Sequence, residues 1–148
     1  MIGLLQRVTT AEVRVDGHVI GKIGAGLLVL IGIQPADTPE LGQQLLTKIL
    51  KYRIFDDEAG KMNLSLQQIN DGALLLVPQF TLAADTGHGL RPGFSTAAPP
   101  QLGRRLFEAL VAAAQEQHPQ VQSGQFGAHM QVSLTNNGPA TFWLETGP

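Results

Sequence analysis

The chain has 148 residues with ten basic and twelve acidic side chains, and its net charge of −2 gives no global nucleic-acid signature. Hydrophobic residues make up 43 % and charged residues 15 %, which is typical of one compact domain over residues 1–148 rather than a disordered chain. The lack of cysteine excludes disulfides and thiolate chemistry. The N-terminus lacks the order of a signal peptide, and no apolar run approaches the roughly 20 residues of a membrane span. We therefore expect a cytoplasmic protein with no membrane contact.

The first half of the chain predicts mostly strands. Residues 10–15 alternate between apolar and polar, which predicts a half-buried strand. Asp16-Gly17-His18 predicts a hairpin turn, and the continuous apolar run 27–33 predicts a central strand covered on both faces. The strands predicted before the C-terminal tail are residues 2–8, 10–15, 19–23, 27–33 and 73–77.

Two helices are predicted. Thr38 is a good N-cap and Pro39 suits the first helical position, so an apolar stripe predicts a helix to about Tyr52. A second helix follows Pro100 and ends before Pro119, and the tail 121–145 predicts two or three strands. The fold class that follows is α+β, with two helices packed on a curved, barrel-like, mostly antiparallel sheet in a single domain.

The stretch Asn136-Asn137-Gly138-Pro139-Ala140-Thr141 lies between two strand-like runs near the C-terminus. Asn and Gly tolerate positive φ and Pro fixes its own φ, so the local pattern predicts a hairpin turn. The Gly138–Pro139 bond is also of the kind that can be cis at modest cost. Such a turn would present rigid backbone with few side chains.

A second stretch, Pro78-Gln79-Phe80-Thr81-Leu82, follows the buried run 73–77. Pro78 indicates that this part of the strand lies at an edge or a bulge. On an extended segment Gln79 and Thr81 would point to one face and Phe80 to the other, either at the rim of an apolar pocket or simply as a polar strand edge. A threonine nucleophile needs a nearby base, and the local sequence supplies none.

Other candidate sites are weaker. Ser95, His88 and Asp85 could be assembled into a triad, but no nucleophile-elbow pattern surrounds the serine. The three acids in the segment 55–63 do not match a calcium loop, which favours a solvated turn. The four histidines lack metal-ligand spacing and are expected at the surface or in hydrogen bonds. No metal or cofactor is predicted.

Taken together, the two stretches resemble the Ser-Gln-Phe-Thr and Asn-x-Gly-Pro-x-Thr motifs of the D-aminoacyl-tRNA deacylases, here as Pro78-Gln79-Phe80-Thr81 and Asn136 to Thr141. The resemblance runs nearly from end to end. The further similar segments are Leu5-Gln6-Arg7-Val8, Tyr52-Arg53-Ile54-Phe55, Gly60-Lys61-Met62-Asn63, Arg91-Pro92-Gly93-Phe94-Ser95 and Thr141-Phe142-Trp143-Leu144.

The resemblance implies a homodimeric hydrolase that removes D-amino acids, and also glycine, from the 3′ end of tRNA. It implies that Gly138 and Pro139 enter the partner's pocket through a cis bond and exclude L side chains by steric clash. The implied catalytic residues are Gln79, Phe80 and Thr81, with N–H groups near Phe80 and Thr81 stabilising the oxyanion and the ribose 2′-hydroxyl helping to activate water. The implied supporting residues are Arg7, Pro78, Asn136 and Thr141.

One residue departs from the family, because Pro78 stands where a serine is usual and removes both a hydroxyl and an N–H. A sister group that acts on L-alanyl-tRNA mischarges has proline there, so a relaxed deacylase is one alternative. A non-catalytic dimer that binds RNA ends is a second, and a general threonine esterase is a third. The tRNA-binding face is left open, with Arg91, Arg104 and Arg105 as candidates.

Overall fold

The computed structural model describes residues 1–147. Its helices are α1 (Pro39–Lys51) and α2 (Pro100–Gln117), and a short 3₁₀ helix spans Phe80–Ala83. None of the helices in this described part is long and apolar enough to cross a membrane. The strands are β1 (Ile2–Val15), β2 (His18–Ile23), β3 (Gly26–Gly32), β4 (Phe55–Asp56), β5 (Met62–Leu64), β6 (Ala73–Pro78), β7 (Val121–Ser123) and β8 (Gln131–Glu145).

The main sheet has the order β2-β1-β3-β6-β7, and β8 pairs with β1. The pairs of β1 with β2, β3 and β8 are antiparallel, whereas β3–β6 and β6–β7 are parallel. The two ends of this order approach each other, since the Lys22 N–H donates to Gln122 Oε1 over 2.6 Å. The predicted α+β fold, with a curved barrel-like sheet and two helices, is therefore confirmed.

Both faces of the central strands are covered. Leu27, Val29 and Ile31 of β3 pack on one side with residues of α1 and α2, while Leu28 packs on the other side with Val13 of β1. Successive strand residues point to opposite faces, which explains why this run shows no polar alternation. At the start of β3, Gly26 has φ +155°, and a Cβ there would lie 1.9 Å from Ala73 O.

Several predicted elements have different bounds. The two predicted strands 2–8 and 10–15 form one strand, β1, which turns at Asp16 and Gly17 into β2 as expected. Helix α1 begins after Thr38, whose hydroxyl accepts the Leu41 N–H. The turn-rich segment 55–63 contains the small hairpin β4–β5, in which Asp57 accepts the N–H groups of Ala59 and Lys61.

The two ends of the described chain meet beside α1. The Met1 ammonium is buried and donates to Asp37 Oδ1 at 2.7 Å and to Thr146 O at 2.6 Å. Asp37 Oδ2 also accepts the Gln34 N–H at 2.7 Å. A buried charge is tolerated only when it is paired and hydrogen-bonded, and here both conditions are met.

Candidate active site

The stretch around Gly138 is a bulge within β8 and not a hairpin turn, so that prediction is wrong. Gln6 pairs with Thr141 and Val8 pairs with Asn136, which leaves residues 137–140 of β8 opposite Arg7 alone. Residues that suit a turn also suit this bulge, because the bulge requires a positive φ, which is +144° at Gly138. The Gly138–Pro139 bond is cis, and both residues are exposed.

The side chain of Asn136 holds the bulge closed. Its Oδ1 accepts the Ala140 N–H at 2.6 Å, and its Nδ2 lies 2.9 Å from Thr141 Oγ1. The amide thus replaces ladder hydrogen bonds that the bulge interrupts. The structure therefore brings together Asn136 and Thr141, which the sequence predicted as supporting residues, at the base of the Gly138–Pro139 segment.

Arg7 fixes the bulge from the opposite strand. Its Nε donates to Asn137 O and its Nη1 donates to Ile54 O, each over 2.8 Å. Asp56 Oδ1 lies 3.5 Å from the same Nη1. The guanidinium is buried and spans two carbonyls with its fixed fork of donors, so it ties the bulge to the β4–β5 hairpin. This geometry agrees with the supporting role that the resemblance implies for Arg7.

The second stretch begins where β6 ends. The Gln79 N–H donates to Ile31 O of β3 over 2.7 Å. The backbone nitrogen of Pro78 therefore faces the opposite side of β6, the side of β7, at a point beyond the last residue of β7 that pairs with β6. Alternate residues of a strand direct their N–H groups to opposite sides, which explains why proline fits here. The predicted edge position of Pro78 is confirmed.

The segment after Pro78 is not extended as predicted, because Phe80–Ala83 is a 3₁₀ helix. The Gln79 side-chain amide donates to Thr81 Oγ1, so these two polar groups do meet, while Phe80 is 55 % exposed. The first N–H groups of a helix have no acceptor inside it. Those of Phe80 and Thr81, at the start of the 3₁₀ helix, can therefore serve an incoming oxyanion.

A cavity of about 430 Å³ opens beside this segment. Besides β6 and the 3₁₀ helix, the loop between β7 and β8 supplies the most residues to the cavity lining. The sequence did not indicate this loop as functional. That loop has no periodic pattern, and only its position in the fold brings it to the cavity. The lining residues are Val77, Pro78, Gln79, Phe80, Ala98, Pro100, Phe126, Gly127, Ala128, His129, Met130 and Val132.

The predicted site residues therefore form two groups in one chain. Gln79 and Phe80 line the cavity, and Thr81 follows them on the 3₁₀ helix. Gly138 and Pro139 lie on β8 together with Asn136, with Arg7 on the neighbouring strand β1, and they are not part of the cavity lining given by residues 1–147. One chain therefore presents a cavity and, separately, an exposed backbone bulge.

The remaining candidates lie elsewhere. His88 Nδ1 is 3.0 Å from Asp85 Oδ2 on an exposed loop, where water competes for both groups. His118 is buried and its Nε2 lies 2.6 Å from Gly72 O, a hydrogen-bonding role as expected. Arg104 Nη2 donates to Phe126 O at 3.3 Å, beside the cavity. Within residues 1–147, no three acidic or histidine side chains are grouped as metal ligands.

Comparisons with known proteins agree with these motifs. The model of a family described as D-Tyr-tRNA(Tyr) deacylase matches residues 4–145. A D-aminoacyl-tRNA deacylase of Pseudomonas fluorescens is 60 % identical over 99 % of this chain and 100 % of its own length. One of Burkholderia cenocepacia is 57 % identical over 100 % of both chains. The chain belongs to the D-Tyr-tRNA(Tyr) deacylase family.

Solved structures share the fold. A c-Myc DNA unwinding element binding protein matches with a TM-score of 0.94 and 35 % identity, and 100 % of both chains are covered. A probable eukaryotic D-amino acid tRNA deacylase matches with a TM-score of 0.83 over 97 % of this chain and 98 % of its own. Its identity is 17 %, so this second likeness concerns the fold alone.

Proposed function

We propose that this protein is a cytoplasmic D-aminoacyl-tRNA deacylase, which hydrolyses the ester between a D-amino acid, or glycine, and the 3′-terminal ribose of tRNA. The observation that carries this proposal is the family match over residues 4–145, together with 60 % identity to a full-length deacylase. Both motif stretches lie in the matched range, so the relatives and the site support the same chemistry.

The cavity beside the 3₁₀ helix is the proposed place of hydrolysis. Water attacks the ester carbonyl carbon, and the N–H groups of Phe80 and Thr81 stabilise the oxyanion that forms. Gln79 donates to Thr81 Oγ1 and so leaves the threonine O–H free to donate in turn. The bond to the ribose 3′-oxygen then breaks, and that oxygen takes the proton lost by water. The neighbouring 2′-hydroxyl assists this transfer, in agreement with a local sequence that supplies no base for Thr81.

Selection against L-amino acids is assigned to Gly138 and Pro139 of a second copy of the chain. In one chain the bulge is exposed on β8, while the cavity lies beside β6 and the 3₁₀ helix. A homodimer that seats each bulge at the other cavity completes both sites. Fixed backbone at the position of an L side chain rejects that substrate by clash, whereas hydrogen or a D side chain is admitted.

The test is deacylation of matched D-Tyr-, Gly- and L-Tyr-tRNA by the purified protein, with spontaneous hydrolysis subtracted. We expect release of D-tyrosine and glycine while L-tyrosine stays attached. Release of an L-amino acid would instead favour the relaxed sister type that Pro78 suggests. Binding of D-Tyr-tRNA without release would favour a non-catalytic RNA-end-binding dimer.

Thr81→Ala separates this mechanism from a threonine esterase. A nucleophilic Thr81 would make the variant inactive, whereas the water mechanism leaves measurable release. Loss of one donor near the oxyanion lowers kcat by about 100- to 1,000-fold, short of complete loss. A burst of acyl-enzyme in the wild-type protein would contradict the water mechanism.

A further inference from the structure

The loop 124–130 between β7 and β8 is held in place from two sides. The Gly124 N–H donates to Leu76 O of β6 over 2.8 Å. Arg104 of α2 donates to Phe126 O, and its guanidinium carbon lies 5.4 Å from the centre of the Phe126 ring. That ring also packs on Phe107, with ring centres 6.5 Å apart. These contacts give the residues that follow in the loop a fixed position on the cavity wall.

His129 of this loop is exposed and lines the cavity. Within the described residues that form the lining, it is the one ionisable side chain, and most of the others are apolar. The ester bond carries no charge and the α-amino group of the amino acid is a cation when protonated, so neither is an anion that a histidine would bind. The imidazole therefore indicates a different part of the ligand, one that carries charge.

The charged side chain that contacts this loop is Arg104 of α2, which pairs weakly with Glu108 at 3.7 Å, both being exposed. The end of β6 and the 3₁₀ helix contribute Pro78, Gln79 and Phe80 to the lining, Met130 ends the loop and Val132 belongs to β8, and none of these is ionisable. Within the described residues, no acidic side chain lines the cavity, so an anion bound there meets no opposing charge in the lining.

We propose that His129 binds a backbone phosphate of the tRNA 3′ end, the phosphodiester that precedes the terminal adenosine, at the rim of the cavity. The proposal rests on the proposed function, because it takes the ester to be bound inside the same cavity. A tRNA carries one negative charge per nucleotide, and a chain of net charge −2 attracts it only through local cations. Arg104 is a positioning residue that holds the loop from its outer side.

The test uses two ligands that the enzyme cannot hydrolyse. In both, D-tyrosine is joined through an amide to 3′-amino-3′-deoxyadenosine; the second also carries a cytidine on the 5′ side through a phosphodiester. The ratio of their Kd values, measured by calorimetry, reports the cytidine phosphodiester as a whole, and its change in the His129 variants reports the phosphate contact. The amino group of the tyrosine titrates in both ligands, so its contribution cancels in the ratio.

The wild-type protein is expected to prefer the phosphodiester ligand, because the imidazole of His129 donates to a phosphate oxygen at the rim. His129→Gln lowers this preference by about tenfold. His129→Lys keeps the preference, because an ammonium also donates to a phosphate oxygen. His88→Gln, on the exposed loop outside the cavity, is the matched control and behaves as the wild type.

Equal affinity of the wild-type protein for the two ligands overturns the phosphate site, and so does an unchanged ratio in His129→Gln. Either result leaves the proposed function intact if the same preparation releases D-tyrosine from D-Tyr-tRNA. Absence of that release overturns the proposed function itself. Loss of the preference in His129→Lys would also contradict the proposal, because a cation at the same position should still bind the phosphate.

Discussion

At the scale of single residues, Gly138 and Arg7 depend on each other across two strands. A Cβ added to Gly138 would lie 2.9 Å from Arg7 Nη2 and 3.0 Å from Ala140 N. The φ of +144° is itself costly for any residue with a side chain. The bulge keeps its shape only with glycine on one strand and an arginine fork on the other.

Replacing Gly138 by alanine is therefore expected to distort the bulge without unfolding the protein. A strain of about 1–3 kcal/mol corresponds to a fall in kcat/KM for D-Tyr-tRNA of roughly 5- to 150-fold. Gly24→Ala is the matched control, since Gly24 has open space around its Cβ position and no strained φ. Wild-type kinetics in Gly138→Ala would show that the bulge takes no part in the reaction.

Arg7→Lys keeps the charge but cannot reach Asn137 O and Ile54 O together, because an ammonium lacks the planar fork. We expect the free energy of unfolding in urea to fall by about 1–3 kcal/mol, since a buried carbonyl is left without its donor. Discrimination between D-Tyr- and L-Tyr-tRNA is expected to weaken as well. Arg14→Lys, at an exposed pair with Glu12, should change stability by less than about 0.5 kcal/mol.

At the scale of elements, the two helices begin differently. Helix α1 has the hydroxyl cap of Thr38, whereas α2 follows Pro99, which gives no side-chain hydrogen bond. Both helices were predictable from their apolar stripes, together with the Thr38 cap before α1 and the prolines at the start of α2. The 3₁₀ helix was not predictable, because Gln79 and Thr81 have the alternating spacing of a strand. The chain can leave the sheet at this point because β7 ends before it, and the end of β7 is not visible in the local sequence.

Thr38→Ala is expected to lower the free energy of unfolding by about 1 kcal/mol, because the Leu41 N–H loses its acceptor. Thr38→Ser keeps the hydroxyl and should stay close to the wild type. Thermal and urea unfolding followed by circular dichroism measure both changes. Equal losses in the two variants would mean that the threonine methyl group, and not the cap, stabilises α1.

At the scale of the whole molecule, the buried Met1–Asp37 pair joins β1, the start of α1 and the segment after β8. Asp37→Asn keeps the shape but leaves the buried ammonium without an anion, so a loss of about 3–5 kcal/mol is expected in urea unfolding. Asp16→Asn is the control, because asparagine tolerates the left-handed φ of 49° at that exposed turn. A loss below 1 kcal/mol in Asp37→Asn would show that water or Thr146 O compensates the charge.

The assembly of the site was predictable only in part. Both motif stretches were found from sequence, through the turn residues at 136–139, the proline after the buried run 73–77 and the resemblance of the two stretches to family motifs. Their separation within one chain was implied by that resemblance, but it does not follow from local sequence, because it depends on which strands become neighbours. The loop with Phe126 and His129 carries no local signal at all. Turn chemistry was misread at Asn136 because a bulge and a hairpin need the same residues, and only the pairing with β1 distinguishes them.

The bulge of β8 also interrupts an exposed edge of the main sheet. Within the described residues β8 has β1 as its strand partner, so its outer side offers unpaired backbone groups to any stray strand. A regular edge of fifteen residues would be a template for aggregation. Residues 137–140 divide it into two shorter runs that cannot both stay in register with one straight strand. The segment proposed to select against L-amino acids is therefore also expected to hinder edge-to-edge pairing between chains.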